Sequence, residues 1–138
     1  GHKVATEELS AYDYVAAVTK LEQLSRREMA SWGRDFDVLL TPTSAILPPP
    51  AGEILAAQHA APELPVPAVV ASVSFTAFAN VTGQPAISLP LQQTAEGLPV
   101  GVMLTGAPFD EAGLLRLAAQ LEAARPWVDR SPVAAAGR

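Results

Sequence analysis

The chain has no cysteine, only His2 and His59 as histidines, and only Lys3 and Lys20 as lysines among its 138 residues. Without cysteine there is no disulfide framework, no thiolate nucleophile and no thiolate metal site. Neither histidine has a second ligand three or four residues away, and a zinc site needs three or four such groups. No metal and no cofactor are therefore expected, and His59 is expected at the surface. A phosphate-binding loop is missing too. Gly97 to Gly101 comes nearest, but Pro99 lacks the amide that a backbone anion nest requires. Charge is sparse: 17% of residues carry one, against about a quarter in an ordinary domain. The net charge is −5 and the basic residues are scattered, with Arg26-Arg27 the densest pair, so nucleic acid is excluded as a partner. No apolar run is long enough to span a bilayer, and Gly1-His2-Lys3 opens no signal peptide. No membrane partner and a cytoplasmic location are the expectations.

What the chain does have is apolar residues, 49% of the total, and thirteen prolines. The length suits one domain over residues 1–138. Ser10 followed by Asp13 forms a helix-start signature. Tyr14, Val18, Leu21, Ser25, Met29 and Trp32 then recur every three or four residues, predicting a helix over 11–32 that stops at Gly33. Asp37 to Thr41 reads as a buried strand ended by Pro42. Seven prolines crowd between Pro42 and Pro67. Residues 42–72 are therefore expected to form a proline-rich strap, with one brief helix over 52–61. Pro48-Pro49-Pro50 has no flanking basic residue to make it an SH3-type ligand.

Residues 73–125 are expected to form a helix–hairpin–helix core. A helix is predicted over 70–81, ended by Gly83 and Pro85. Strands over 86–90 and 100–105 are joined by a loop over 92–97 that suits an antiparallel hairpin. Asp110 caps a last helix carrying Leu114, Leu117, Ala118 and Leu121, which Pro126 ends. Residues 131–138 are expected to fray. The fold class is α/β: a mixed sheet flanked by helices. Leu39, Ile87, Leu89, Val102 and Leu104 should be buried in it, beneath the helices carrying Leu21 and Leu117.

Five short motifs occur in order. Asp37, the apolar run Val38 to Leu40, and Thr41-Pro42-Thr43 come first. Asn80, Gly83, Pro85 and Ala86 follow, then Leu98-Pro99-Val100-Gly101, then Gly106, then the helix capped by Asp110. Each is weak alone. Together, over residues 12–127, they resemble the C-terminal part of the amidase signature family, serine amidohydrolases with a Ser–cis-Ser–Lys triad. Asn80, Gly83 and Pro85 read as turn-makers, since Asn and Gly accept left-handed backbone and Pro fixes φ before a strand.

The resemblance implies a parent enzyme that hydrolyses a carbon–nitrogen bond of a small linear or cyclic amide through an acyl-enzyme. It also implies that the catalytic half lies upstream, so an N-terminal half is the expected partner. The residues agree. A lysine base must be neutral, hence buried or beside positive charge. Lys20 sits beside Glu22 on a face expected to be wet, Lys3 lies near a terminus, and no serine occupies a glycine-rich loop. No catalytic residue is assigned in this chain, and the chain alone is expected to be inactive. By resemblance, Phe75, Thr76 and Ala79 are the substrate-binding candidates, approaching the acyl or amine pocket. Ala71 to Phe75 carries no acid, unlike the amidotransferase branch of the family, which implies a less polar amide. A non-catalytic binding or assembly module sharing this piece of fold is the alternative. A homodimer is expected, closing apolar surface that upstream sequence would cover.

Overall fold

The computed structural model describes residues 9–62 and 64–128, and the expected fraying of 131–138 lies outside them. Helix α1, Ala11–Met29, starts on a complete capping box. The Asp13 amide donates to Ser10 Oγ at 3.2 Å, and the Ser10 amide donates to Asp13 Oδ2 at 3.0 Å. Arg26 and Arg27 in the last turn complement the helix dipole. The helix ends at Met29, short of Trp32, because Ser31 to Phe36 fold into a turn. There Gly33 takes φ +73° and its amide donates to the Phe36 carbonyl at 2.8 Å.

Strand β1, Leu39–Pro42, follows, then short helix α2, Glu53–Ala60, inside the proline-rich stretch. The single helix expected over 70–81 is two: α3, Pro67–Val73, and α4, Thr76–Thr82. Ser74 and Phe75 between them keep right-handed helical backbone. Ser72 and Ser74 donate their hydroxyls to the Val69 and Val70 carbonyls, each at 2.8 Å. Gly83 then ends α4 at φ +72°, its amide bonded to the Ala79 carbonyl. The left-handed residue of this turn is thus Gly83, while Asn80 stays helical.

Strands β2, Ala86–Gln93, and β3, Pro99–Thr105, form the hairpin. Its register shifts between Leu89 and Gln92, at Pro90, which has no amide to give the ladder. Gly97 closes the turn at φ +86°. Helix α5, Glu111–Ala124, is capped by Asp110, whose carboxylate accepts from the Gly113 amide at 3.0 Å.

The strand order is β1-β3-β2, with both pairings antiparallel. The expectation of a mixed sheet is corrected in this detail. β1 and β2 do run the same way, since each is antiparallel to β3. The hairpin, however, inserts β3 between them, so every hydrogen-bonded neighbour is antiparallel. The α/β class stands, with five helices and one sheet among the described residues.

The core lies between the sheet and α5. Leu89 and Leu104 meet Leu114 and Ala118, with Val38, Ile87, Leu91, Leu117, Leu121 and Trp127 around them. Of the five expected strand residues, Leu89 and Leu104 are buried, while Leu39, Ile87 and Val102 are half-buried. Leu21 corrects the expectation outright: it is 48% exposed, and Tyr14 is 71% exposed. Helix α1 packs on α4 through its C-terminal end, where Ser25 is buried, and leaves its earlier apolar residues uncovered.

Candidate functional site

Alternation along the strands gives the sheet two unlike faces. Paired residues point the same way, so Leu104, Leu89, Ile87 and Val102 share the face under α5. The opposite face carries Leu39, Thr41, Thr43, Ala86, Ser88, Gly101, Met103 and Thr105, four of them hydroxyl-bearing. Trp32 anchors one end of it. Its indole N–H donates to the Thr105 carbonyl at 3.2 Å, while its ring lies nearly parallel to Phe78, with centroids 6.0 Å apart. The turn after α1 and the helix α4 are thus fixed to β3 together.

Gln84, buried in the turn between α4 and β2, donates its side-chain amide to the Gly106 carbonyl at 2.7 Å. The Gly106 amide in turn donates to the Pro85 carbonyl at 3.0 Å. The oxygens Thr41 Oγ1, Thr105 Oγ1 and Gln84 Oε1 are buried without a hydrogen-bond partner among the described residues. Gln84 was not legible as a tether, since nothing in a Gly-Gln-Pro turn distinguishes a buried amide from a wet one.

A cavity of about 250 Å³ opens on the hydroxyl face, walled by Thr43, Ser44, Ile46, Leu47, Ser72 and Gly101. The hydroxyl of its lining residue Thr43 is hydrogen-bonded to that of Ser88 at 2.6 Å, either able to donate. A second cavity of about 350 Å³ lies between α1 and α4, where Val18, Leu21, Ser25 and Met29 face Val81 and Thr82.

The substrate-binding candidates occupy the α3–α4 junction. Phe75 is half-buried with helical backbone, between the two helices. Thr76 opens α4 and donates its hydroxyl to the Val73 carbonyl at 3.2 Å. Ala79 is half-buried, one turn further along the same side. The structure brings these three together, but none lines either cavity just described.

Lys20 and His59 are exposed. Among the described residues no group of three or more His, Cys, Asp or Glu could hold a metal ion, and no helix is long and apolar enough to cross a membrane. Hydrogen bonds from Ser10 hold Asp13 below the usual carboxylate range, and the Arg34 guanidinium at 2.7 Å does the same for Asp35.

The family model for Amidase matches residues 1–115. A putative amidase, AmiC, of Mycobacterium leprae (strain TN) is 45% identical over 111 residues, which are 80% of this chain and 23% of that protein. The 6-aminohexanoate-cyclic-dimer hydrolase of Paenarthrobacter ureafaciens is 35% identical over 130 residues, 91% of this chain and 26% of that one. A solved structure of 6-aminohexanoate cyclic dimer hydrolase superposes with a TM-score of 0.82 at 33% identity, over 92% of this chain and 27% of its own. A crystal structure of an amidase gives 0.68 at 29% identity, over 88% of this chain and 27% of its own. The chain spans about a quarter of the length of the curated relatives it matches. With the ordered motifs, the fold and the family match in agreement, the chain belongs to the amidase signature family.

Proposed function

We propose that this chain is the C-terminal part of an amidase that hydrolyses the carbon–nitrogen bond of a small linear or cyclic amide. The chemistry is acyl-enzyme formation by a Ser–cis-Ser–Lys triad contributed by sequence upstream of these residues. The observation that carries the reading is the combined likeness to a cyclic-dimer hydrolase, in sequence over 91% of the chain and in fold at a TM-score of 0.82. The chain's own contribution is one wall of the substrate pocket. Phe75, Thr76 and Ala79 sit on a short helical junction whose Ser72, Ser74 and Thr76 hydroxyls are bonded back to its own carbonyls, which suits the apolar part of an amide. The missing acid at Ala71 to Phe75 favours such a substrate over a charged amide.

The upstream part also has a surface to cover. Tyr14, Val15, Leu21 and Leu24 are exposed along α1, and among the described residues β1 and β2 each pair on one side only. Exposed apolar area of this kind marks an interface, and the upstream part is its occupant in the parent. A cytoplasmic location is part of the same reading.

The test compares full-length parent and isolated chain on a panel of linear and cyclic aliphatic amides, with product amine measured by mass spectrometry. Turnover by the parent and none by the chain is expected. Turnover by the isolated chain, lost on mutating one of its own serines, would refute the division of labour. A parent inert on every amide, with no upstream lysine and serine loop, would favour a non-catalytic module.

A further inference from the structure

Thr43 and Ser88 belong to strands that are not neighbours. β3 runs between β1 and β2, and yet the two hydroxyls meet at 2.6 Å. They meet over Gly101. A Cβ built there would lie 2.6 Å from Thr43 Oγ1 and 3.0 Å from both Ser88 Oγ and Thr43 Cβ. Gly101 has no left-handed backbone to explain its identity. Its need for glycine is steric: any side chain would occupy the place where the hydroxyls join. Such a bond across a middle strand is possible only where that strand is bare.

We propose that the Thr43–Ser88 pair, admitted by Gly101, is a positioning clasp that sets the α3–α4 junction and through it the substrate pocket. This rests on the amidase reading above for the pocket, though not for the clasp. The connection runs through consecutive hydrogen bonds. The Thr43 amide donates to the Gly101 carbonyl at 3.0 Å, extending β1 by one residue past Pro42. Two residues on, the Ala45 amide donates to the Ala71 carbonyl at 3.3 Å. Ala71 lies in α3, one turn before Phe75 and Thr76. At the far end of the same segment Gln84 ties the chain to the Gly106 carbonyl. The helical segment is thus tethered near both ends to the sheet, and the clasp locks the tether that the proline-rich stretch would otherwise leave slack. Ser72, in α3, walls the same cavity as Thr43 and Gly101, so the two sides of the connection face each other.

A positioning role differs from general stabilisation in what it changes. The test uses the full-length enzyme and the variants Thr43→Val, Ser88→Ala, their double, and Thr43→Ser. Loss of one neutral hydrogen bond at a positioning site should raise KM roughly three- to tenfold while kcat stays within about twofold. Thr43→Ser keeps the hydroxyl and should restore KM. The double variant should be no worse than either single one, because both remove the same bond. Hydrogen exchange by mass spectrometry, read on the same proteins, should show faster exchange in residues 43–46 and 71–76 for Thr43→Val, but not for Thr43→Ser. Additive effects in the double variant, or unchanged exchange at 71–76, overturns the clasp. If the parent hydrolyses no amide, the pocket reading falls and exchange alone decides the clasp. If Thr43→Val fails to fold, Ser88→Ala carries the same exchange readout.

Discussion

Leu104 sits in the central strand at 2% exposure, against Leu89, Leu114 and Ala118. Its register partner on β1, Leu40, shares its face but is 63% exposed at the sheet edge. The pair offers a controlled comparison of burial at constant chemistry. Leu104→Ala removes three carbons, which at about 0.8 kcal/mol per methylene is roughly 2.4 kcal/mol of transfer energy. A residual cavity adds to this, because α5 and two strands constrain any collapse. The total should be about 3–4 kcal/mol, inside the range seen for buried leucines. Leu40→Ala should cost below about 1 kcal/mol. Urea unfolding followed by the fluorescence of Trp32 and Trp127 would read both. With a slope near 2 kcal/mol per molar, Leu104→Ala should lower the midpoint by roughly 1.5–2 M. Equal midpoints for the two variants, at unchanged slope, would mean that the sheet's buried face has been assigned wrongly.

Gly83→Ala should destabilise by about 1–2 kcal/mol although nothing lies within 4 Å of its missing Cβ, because φ is +72°. Gly83→Asn should recover part of that in a thermal melt, and equal melting temperatures for all three proteins would refute the strain. Asp13 has a carboxyl held below its usual value by Ser10, so the capping box should stabilise α1 at neutral pH. That contribution is fully present above the ordinary carboxylate value of 3.8 and is lost as pH falls through the lower folded value. Amide exchange in the first turn of α1 should therefore quicken in Ser10→Ala near neutrality, and an unaltered rate there would remove the box from the account. The isolated chain should form dimers or larger species in sedimentation at micromolar concentration, through the outer edges of β1 and β2 and the bare side of α1. A monomer at every concentration would count against that surface as an interface.

The sequence made some of this legible for physical reasons. The hairpin announces itself by alternation and by Gly97, and both helix starts at Ser10 and Asp110 by side chains that bond the free amides beyond them. These are local interactions, and local sequence encodes them. The orientation of α1 was not legible. Tyr14, Val18 and Leu21 mark an apolar side, but periodicity reveals only that a helix has one, not whether these residues cover it. The break between α3 and α4 was hidden because Val70 to Val81 keeps a helical composition and the backbone stays helical through Ser74 and Phe75. The order of strands was also out of reach, since the choice of β3 rather than β2 as neighbour of β1 is made by packing. Phe75, Thr76 and Ala79 are candidates by resemblance alone. The Thr43–Ser88 bond was not legible, because its members lie 45 residues apart and the glycine between them in space looks like any other.

That strand order bears on how the chain assembles. The hairpin pairs Gln93 with Pro99 across one short turn, whereas β1 pairs Leu39 with Thr105 across most of the described chain. Closing the longer loop costs roughly 2 kcal/mol more in chain entropy. The hairpin and α5 should therefore form early and β1 dock late, which makes β1 docking the slow step. During synthesis β1 leaves the ribosome well before its partner strand exists. The polar threonine on either side of Pro42, and Pro42 itself without an amide, help to keep that waiting strand from pairing with another chain.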